Sequence, residues 1–551
     1  MKNIFLQILA LLSFVLVSNC NTDAISEGFD LELSTDIFQQ RAVIEIFDTS
    51  NPSNLEGNQV LSVEVIGEDA AKLVTDSGEN ISKLKVVDGI ISLAVNPNKN
   101  ITNEKVQFAL KITGDNYLTT TIPVQLYEND TAAYFSSSIV NKLNRPVGVD
   151  FLSENITLLN NTLASTTSVK TNIIKGNTYS EVVIENGTIF QDINGNDISG
   201  NNLEIELTNF NSIDDESLAS FPGGFMPLEI TNEAGETQND AAFQTLGFVS
   251  IDMKIGNTEV KNFSKPITIT TQIQNDFINP ETGENIKVGD EVPLWSYTRD
   301  DGTWDFHGTG IVSLDASNNL VITYTTTQLS WYNIDYLLER CSSNNSEITV
   351  SLNPFGDLAP GESHPSYHLY SDFVYEDTNQ PISNSSGKTR VFMNGTTIST
   401  GAGMVSDRNI VMLIYSGKSA YNKGEIIFKS EPFNNCGIDF SIDVSAIGNK
   451  VYPTGNIHIH TETLCSGKII TPTVPIWIKD LNENGETYWR YIDIIKNGQI
   501  TFYDLTLNTE YEFKTIYNGS SYFQTMSFHT FDSSIYMEMD PNLEDELCNN
   551  F

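Results

Sequence analysis

Basic residues are scarce in this chain of 551 amino acids. Thirty lysines and arginines stand against 71 aspartates and glutamates, which gives a formal net charge of −41 at pH 7. A surface of this sign repels nucleic acid and anionic lipid headgroups, because binding to such polyanions depends on contacts from lysine and arginine. The composition therefore argues against nucleic acid as a partner, and it leaves divalent cations and neutral glycans open as ligands.

Sequence patterns of common catalytic sites are also missing. The chain has no H-E-x-x-H and no G-x-S-x-G motif. Two G-K-S/T matches occur, in SSGKT (385–389) and YSGKS (415–419), but Ile382 and Met412 stand where a phosphate-binding loop needs a glycine. We therefore predict that the protein is not an enzyme and that it has no organic cofactor.

Long apolar runs are absent after the first twenty residues. The run from Ile4 to Val17, which follows Lys2, is too short to span a bilayer and fits the apolar region of an export signal. The sequence VSNC that ends it resembles the lipobox of bacterial lipoproteins, in the looser form of the Bacteroidota that accepts Asn19. This resemblance implies cleavage of residues 1–19 and acylation of Cys20. Ordinary signal cleavage nearby, or a structural Cys20, is the alternative.

A lipid-anchored Cys20 predicts the location of the protein. Several acyl chains on one cysteine hold a protein on a membrane without a transmembrane segment, since each buried CH₂ contributes about 0.8 kcal/mol. The expected location is the outer membrane, at the cell surface or on the periplasmic face. The membrane is then one partner, through the lipid, and an unidentified protein or glycan is the other.

Cysteine is rare, with five in the whole chain. The four that remain after Cys20 are Cys341, Cys436, Cys465 and Cys548. An even number of cysteines in an exported protein suggests disulfides, and four cysteines allow three connectivities. Pairs within domains, Cys341 with Cys436 and Cys465 with Cys548, are favoured because each pair flanks one candidate domain. Free buried thiols are the alternative.

Short segments in which apolar and polar residues alternate recur along the chain. Asn-Gly, Asp-Gly and Ser-rich turns separate them, and no amphipathic pattern of three helical turns stands out. The sequence therefore predicts an all-β fold of tandem β-sandwich domains. Clear examples are AVIEIFD (42–48), VQFALKI (106–112), FVSIDMKI (248–255), ITITTQI (267–273) and GEIIFKS (424–430).

Changes in composition suggest where the domains begin and end. The expected organisation is a signal peptide (1–19), a stalk (20–30), an immunoglobulin-like β-sandwich (31–128), a linker (129–164), a tryptophan-motif β module (165–336), a β-sandwich (342–448), a fibronectin- or transthyretin-like β-sandwich (449–541) and an acidic tail (542–551).

Three of the five tryptophans fall within about forty residues, in VPLWSYTRDDGTWDFHGTG (292–310) and LSWYNIDY (329–336). Aromatic side chains on alternating strand positions are expected to form a domain core, with a glycan-stacking platform as the alternative. The segment resembles a module of Bacteroidota surface lipoproteins and, more distantly, of cartilage intermediate layer protein. The resemblance covers 165–336 and implies a non-catalytic structural unit, which carboxypeptidase-regulatory-like sandwiches usually follow.

The last domain carries a second resemblance. LTLNTEYEF (505–513) is similar to the tyrosine corner of fibronectin type III and related sandwiches, with Leu507 in place of a proline. In that family the tyrosine, here Tyr511, hydrogen-bonds to the preceding backbone and stabilises the corner.

Two segments of the last domain contain candidate metal ligands. DLNENGETYWRY (480–491) begins like a calcium loop, with Asp480, Asn482 and Asn484 at spacings of two, but Tyr491 stands where a glutamate is needed. The Asn-Gly pair equally predicts a hairpin turn. His458 and His460 lie two apart with Glu462 next on the same face, which gives at most half of a zinc site; solvent-facing strand histidines are the simpler interpretation.

Two functional hypotheses follow from the sequence. The first is a non-enzymatic, lipid-anchored cell-envelope protein that acts as an adhesion, scaffold or recognition stalk. The alternative is a glycan-capture lipoprotein of a polysaccharide-uptake system, in which Trp477 and Trp489 form an exposed stacking surface. Exposure of both rings would favour the alternative.

Overall fold

The computed structural model describes residues 31–550 with internal gaps. The gaps are residues 35–37, 39, 49, 52–54, 56–60, 101–104, 128–132, 175–177, 222–223, 226, 239–240, 299–301, 341–346, 355–365, 378, 380–381, 383–387, 400–407, 418–422, 435, 437–438, 452–454, 467, 482–488, 506–507, 530–534 and 538. The fold is all-β and multidomain, as predicted. Among the described residues, no helix is both long and apolar enough to cross a membrane.

The first domain is a two-sheet sandwich. Its strands are β2 (Arg41–Asp48), β3 (Leu61–Ile66), β4 (Leu73–Thr75), β5 (Ile90–Val95), β6 (Val106–Gly114), β7 (Thr120–Leu126) and β8 (Ala133–Ile139), with 3-10 turns at Glu68–Lys72 and Ile81–Lys83. The sheet orders are β4-β5-β2-β8 and β3-β6-β7. Alternating apolar side chains from both sheets, such as Ile44, Leu93 and Phe108, fill the core between them.

The second domain is built on one 15-stranded sheet. Its elements are β9 (Val149–Leu159), β10 (Thr162–Leu163), β11 (Thr167–Lys170), β12 (Ser180–Ile184), β13 (Phe190–Gln191), β14 (Asn202–Phe210), α1 (Asp215–Ala219), β15 (Ile230–Thr231), β16 (Thr237–Gln238), β17 (Ala241–Ile255), β18 (Thr258–Glu259), β19 (Asn262–Gln272), β20 (Glu291–Thr298), β21 (Thr303–Leu314), β22 (Leu320–Gln328) and β23 (Trp331–Glu339).

This sheet folds over on itself. Its main path runs β10-β9-β14-β17-β23-β20-β21-β22-β19-β12-β11. Leu158 and Leu163 at one end of the path share a core with Val169 and Val182 at the other end. The long strands therefore enclose one hydrophobic interior, as the two sheets of a sandwich do.

The predicted linker at residues 129–164 is wrong. Seven residues of β8 pair in parallel with β2, and β9 pairs antiparallel with β14 from Val149↔Phe210 to Thr157↔Asn202. The high content of Asn, Ser and Thr in this segment is typical of a linker. Many of its side chains are only half-buried, so they need not be apolar.

The third domain is a smaller sandwich. Its strands are β24 (Glu347–Ser351), β25 (Tyr367–Tyr375), β26 (Lys388–Phe392), β27 (Thr397–Ser399), β28 (Ile410–Tyr415), β29 (Ile426–Lys429) and β30 (Phe440–Asp443), followed by a 3-10 turn at Ser445–Asn449. The sheet orders are β27-β24-β30 and β26-β25-β28-β29. Phe373, Phe392 and Met412 are fully buried between them.

The fourth domain completes the chain. Its elements are β31 (Gly455–His460), β32 (Thr463–Cys465), β33 (Lys468–Thr471), β34 (Val474–Asp480), β35 (Arg490–Ile495), β36 (Gln499–Leu505), β37 (Glu510–Tyr517), β38 (Ser520–Ser527), β39 (Ile535–Tyr536) and α2 (Pro541–Asn550). Two of its sheets have the orders β36-β31-β39 and β35-β34-β37-β38.

The predicted acidic tail is a helix packed on this domain. Leu543 and Leu547 of α2 lie four residues apart on one face, and both are buried in the core. A disulfide joins Cys548 of α2 to Cys465 of β32, with Cα atoms 5.1 Å apart. The acidic residues of the tail lie around this short apolar stripe, and for that reason the sequence pattern did not predict a helix.

The remaining cysteines are only partly covered by the structure. Cys436 is disulfide-bonded. Its predicted partner Cys341 lies outside the described residues, as does Cys20 with the whole leader.

The first strand does not belong to the first domain, in contrast to the predicted boundary at residue 31. β1 (Leu31–Ser34) pairs in parallel with β33 and forms the three-stranded sheet β1-β33-β32. The amino-terminal end of the described chain is thereby attached to the last domain.

Candidate functional site

The tryptophan motif of the second domain forms a buried aromatic core, as predicted. Trp304 and Trp331 are 0% and 1% exposed, and Trp295 is also buried. Tyr297 on β20 lies opposite Trp304 on β21 and opposite Trp331 on β23, so the three strands bring the rings together. The Tyr297 and Trp304 ring centroids are 4.6 Å apart. A platform for glycan stacking is excluded at these residues, because a ligand could not reach the rings.

This aromatic core also includes side chains of the first domain and of the segment that follows it. Leu118 and Val140 pack in the same cluster as Trp304. Beside them, the Ser138 and Ser220 hydroxyl oxygens lie 2.7 Å apart, and the Lys142 ammonium lies 2.7 Å from a carboxylate oxygen of Glu206. The first two domains therefore share a continuous core.

Trp477 and Trp489 do not form an exposed surface, so the predicted glycan-stacking site at these residues is wrong. Trp477 is 0% exposed and Trp489 is 7% exposed. They pack in one cluster with Val43, Val87 and Ile90 of the first domain. The two rings are the apolar centre of an interface between the first and last domains, which we call the clasp.

Two polar groups are buried in the clasp. The Lys514 side chain lies with its ammonium 4.8 Å from the centroid of the Trp489 ring, within cation–π range. Burial raises the pKa of Glu45, while a hydrogen bond donated by the Tyr134 hydroxyl and the charge of Lys514 lower it. The carboxyl and the ammonium therefore compensate part of each other's desolvation.

Polar contacts at the rim continue the clasp. The Ser77 hydroxyl donates to the Asn518 side-chain oxygen over 3.0 Å, and the Ser521 hydroxyl donates to a carboxylate oxygen of Asp88 over 2.8 Å. Burial raises the pKa of Asp76 to about 7, although the charge of Arg41 and hydrogen bonds from the backbone of Ser77 and Asn518 oppose this shift. The rim is thus a set of buried or half-buried polar pairs between the two domains.

The other neighbouring domains also make contact. The Arg408 guanidinium of the third domain donates to the Gln244 side-chain oxygen of the second domain over 2.9 Å. Burial raises the pKa of Asp493 of the fourth domain, and the nearby His368 of the third domain opposes this shift, so the two side chains lie close together. Contacts therefore run from the first domain to the fourth and return to the first through the clasp.

The structure covers the candidate metal ligands only in part. Asp480 ends β34, whereas Asn482 and Asn484 lie outside the part of the chain that the structure describes. No group of three or more His, Cys, Asp or Glu residues in that part is arranged to hold a metal ion. His458 instead contacts the hydroxyl of Thr501 at 2.7 Å, and His460 contacts the Glu462 carboxylate at 3.0 Å.

Comparison with known proteins finds only distant similarity. No family model and no curated protein matches the chain. Similar solved structures include a streptococcal ancillary pilin (8% identity, 46% of this chain and 94% of that chain, TM-score 0.12), the Bacillus anthracis TIE protein (10%, 71% and 74%, 0.12) and the pilus adhesin SpaC from Lactobacillus rhamnosus GG (10%, 72% and 57%, 0.11). At TM-scores this low, the similarity carries no argument about function.

Proposed function

We propose that the chain is a non-enzymatic, lipid-anchored protein of the cell envelope that acts as an adhesion or scaffold protein. The clasp is the observation that carries this proposal. Burial of Trp477 and Trp489 against the first domain holds the first and last of the four domains together. A chain stabilised in this way suits a protein that presents surfaces to partners under mechanical load. The proposal differs from the predicted recognition stalk. In a stalk the domains would follow one another in a row, whereas here the last domain packs against the first.

The anchor in this proposal rests on the leader and its lipobox. Acylation of Cys20 would place the protein on the outer membrane, at the cell surface or on the periplasmic face. Because β1 follows the predicted stalk and pairs with β33, tension from the lipid would enter the last domain first. The disulfide between β32 and α2 then reinforces the domain that receives this tension.

Glycan capture is a second candidate. Trp477 and Trp489 are buried and cannot stack on a sugar, as this candidate required. The last domain nevertheless carries a polar cavity, which residues of β31, β35 and β36 line.

Adherence of cells tests the proposal. A strain without this chain should adhere less to glycan- or protein-coated surfaces, and the full chain should restore adherence. A Cys20→Ser variant, released from the membrane, should not restore it. Unchanged adherence in the deletion strain, together with hydrolytic activity of the purified chain, would contradict the proposal.

A further inference from the structure

Two strands of the fourth domain present a polar face to the outside of their sheet. β31 and β36 pair antiparallel, with His458 opposite Thr501 and His460 opposite Gln499. Successive side chains of a strand point to opposite faces, so these four lie on one face. The residues between them, Ile457, Ile459, Ile500 and Phe502, are buried in the core. Packing of these apolar side chains in the core fixes the two strands, and it thereby fixes the positions of the polar side chains on their outer face.

An Asn-Gly turn adds two charged residues to this face. Asn497 and Gly498 both have positive φ, 49° and 70°, as a tight two-residue turn requires. The turn joins β35 of one sheet to β36 of the other, and it places Asp493 and Lys496 beside the polar face. Together these groups line a cavity of about 550 Å³, whose polar side chains include His458, His460, Asp493, Lys496, Thr501 and Tyr503.

The cavity has the size and the groups to bind a small polar ligand. Its volume falls within the range of about 300–1,000 Å³ that is typical of ligand sites. Histidine, glutamine, threonine and tyrosine can each donate and accept hydrogen bonds, Lys496 only donates, and an ionised Asp493 only accepts. Sugar hydroxyls also donate and accept, and the Tyr503 ring offers a flat surface for the C–H face of a pyranose.

We propose that this cavity binds a neutral oligosaccharide. The net charge of −41 disfavours an acidic glycan, whereas a neutral one meets no long-range repulsion. A peptide is a poorer match, because peptide recognition depends on open strand edges or apolar grooves, and the cavity lies on the polar face of a sheet. The inference rests on the proposed adhesion role and names the class of ligand for it.

Calorimetric titration of the chain from residue 21 onward tests this assignment. The probes are cellotetraose, mannotetraose and xylotetraose, with tetragalacturonate as the charged comparator. At least one neutral tetrasaccharide should bind. Lys496→Ala and His458→Ala should each weaken its binding by about ten- to a hundredfold, as expected when one strong hydrogen bond is lost. His529→Ala is the matched control, because His529 is exposed on the same domain and does not line the cavity.

The outcomes separate this inference from the proposed function. Equal binding by all variants would place the glycan elsewhere and overturn the assignment to the cavity. Binding of tetragalacturonate alone would overturn the neutral class. Failure of every glycan, with adherence still dependent on the chain, would overturn the inference and leave the proposed function standing. If adherence were also independent of the chain, both would fall. Equal melting temperatures of the variants and the wild type would exclude misfolding as a cause.

Discussion

The rings of Tyr134 and Tyr491 stack across two domains that are far apart in the sequence, with centroids 4.2 Å apart and planes inclined by 6°. Tyr134 lies on β8 of the first domain, and Tyr491 lies on β35 of the last. The Tyr134 hydroxyl also donates to Glu45, so one side chain serves both the stacked and the polar part of the clasp. This geometry makes the clasp a specific interface that substitutions can test.

Truncation of Trp477 should open the clasp. Trp477→Ala removes a fully buried ring and should lower the free energy of unfolding by about 3–5 kcal/mol. Because the lost contacts include those with Val43 and Ile90, the first and last domains should also separate. Small-angle scattering of the full chain should show a larger radius of gyration, and thermal unfolding should begin at a lower temperature.

Leu464→Ala is the control for Trp477→Ala. Leu464 lies on β32 of the same domain, but its side chain is 71% exposed and is not part of the clasp. Its truncation should leave the radius of gyration unchanged and shift the melting temperature only slightly. An unchanged radius of gyration in Trp477→Ala would mean that the clasp does not hold the two domains together.

Truncation of Trp304 should unfold the second domain and affect the first. Trp304→Ala should cost about 3–5 kcal/mol, since the ring is fully buried against Tyr297, Phe243 and Phe248. Trp304→Phe should cost less, because it keeps part of the buried area. Thermal unfolding of the full chain measures both. A chain cut at residue 165 is unsuitable, because β9 and the contact with Leu118 would be lost.

The sequence allowed prediction of the all-β fold and of the Trp304 core, because alternation and aromatic density are local signals. The clasp carried no such signal. A tryptophan on an alternating strand, such as Trp477, has the same pattern whether it faces solvent, a ligand or another domain. The pairing of β1 with β33 joins residues more than 400 positions apart, and its register is invisible in one sequence. The spacing of His458 and His460 predicts a polar strand face. The cavity beside it was not predictable, because it depends on how two sheets meet at the Asn497–Gly498 turn.

Stability should fall as the pH rises from about 4 to about 7, owing in part to Asp76. Its pKa is raised to about 7 in the folded chain, from an ordinary value of 3.8, chiefly by burial. The folded state therefore holds this proton more tightly than the unfolded state, and the stabilisation is complete below pH 4 and lost above pH 7. Burial raises the pKa of Glu45 and Asp335 as well, so both contribute with the same sign.

Asp76→Asn isolates the part of this effect that belongs to the clasp. The variant cannot ionise at this position, so its melting temperature should decrease less than that of the wild type between pH 4 and pH 7. Glu64→Gln, which changes an exposed carboxylate of the same domain, is the control and should follow the wild type. Parallel curves for Asp76→Asn and the wild type would contradict the prediction.

Loss of the Cys465–Cys548 disulfide should release α2. The bond links residues 83 positions apart, and a loop of this length corresponds to about 4.5 kcal/mol of stability at most. Cys548→Ala should therefore lower the melting temperature and expose α2 to proteolysis, because Leu547 then depends on packing alone. Non-reducing peptide mapping checks the pairing and also tests the predicted bond between Cys341 and Cys436. Four free thiols would refute both pairs.

Acylation of Cys20 is the prediction on which the location of the protein depends. The apolar run from Ile4 to Val17 and the VSNC sequence predict cleavage before Cys20 and transfer of acyl chains to its thiol. Mass spectrometry of the mature amino terminus should find the lipid on Cys20, and the protein should fractionate with membranes. The Cys20→Ser variant should fractionate as a soluble protein and keep the same melting temperature, because the lipid takes no part in the domain cores. An unmodified terminus at another residue, or membrane association that survives Cys20→Ser, would show that the anchor is not this cysteine.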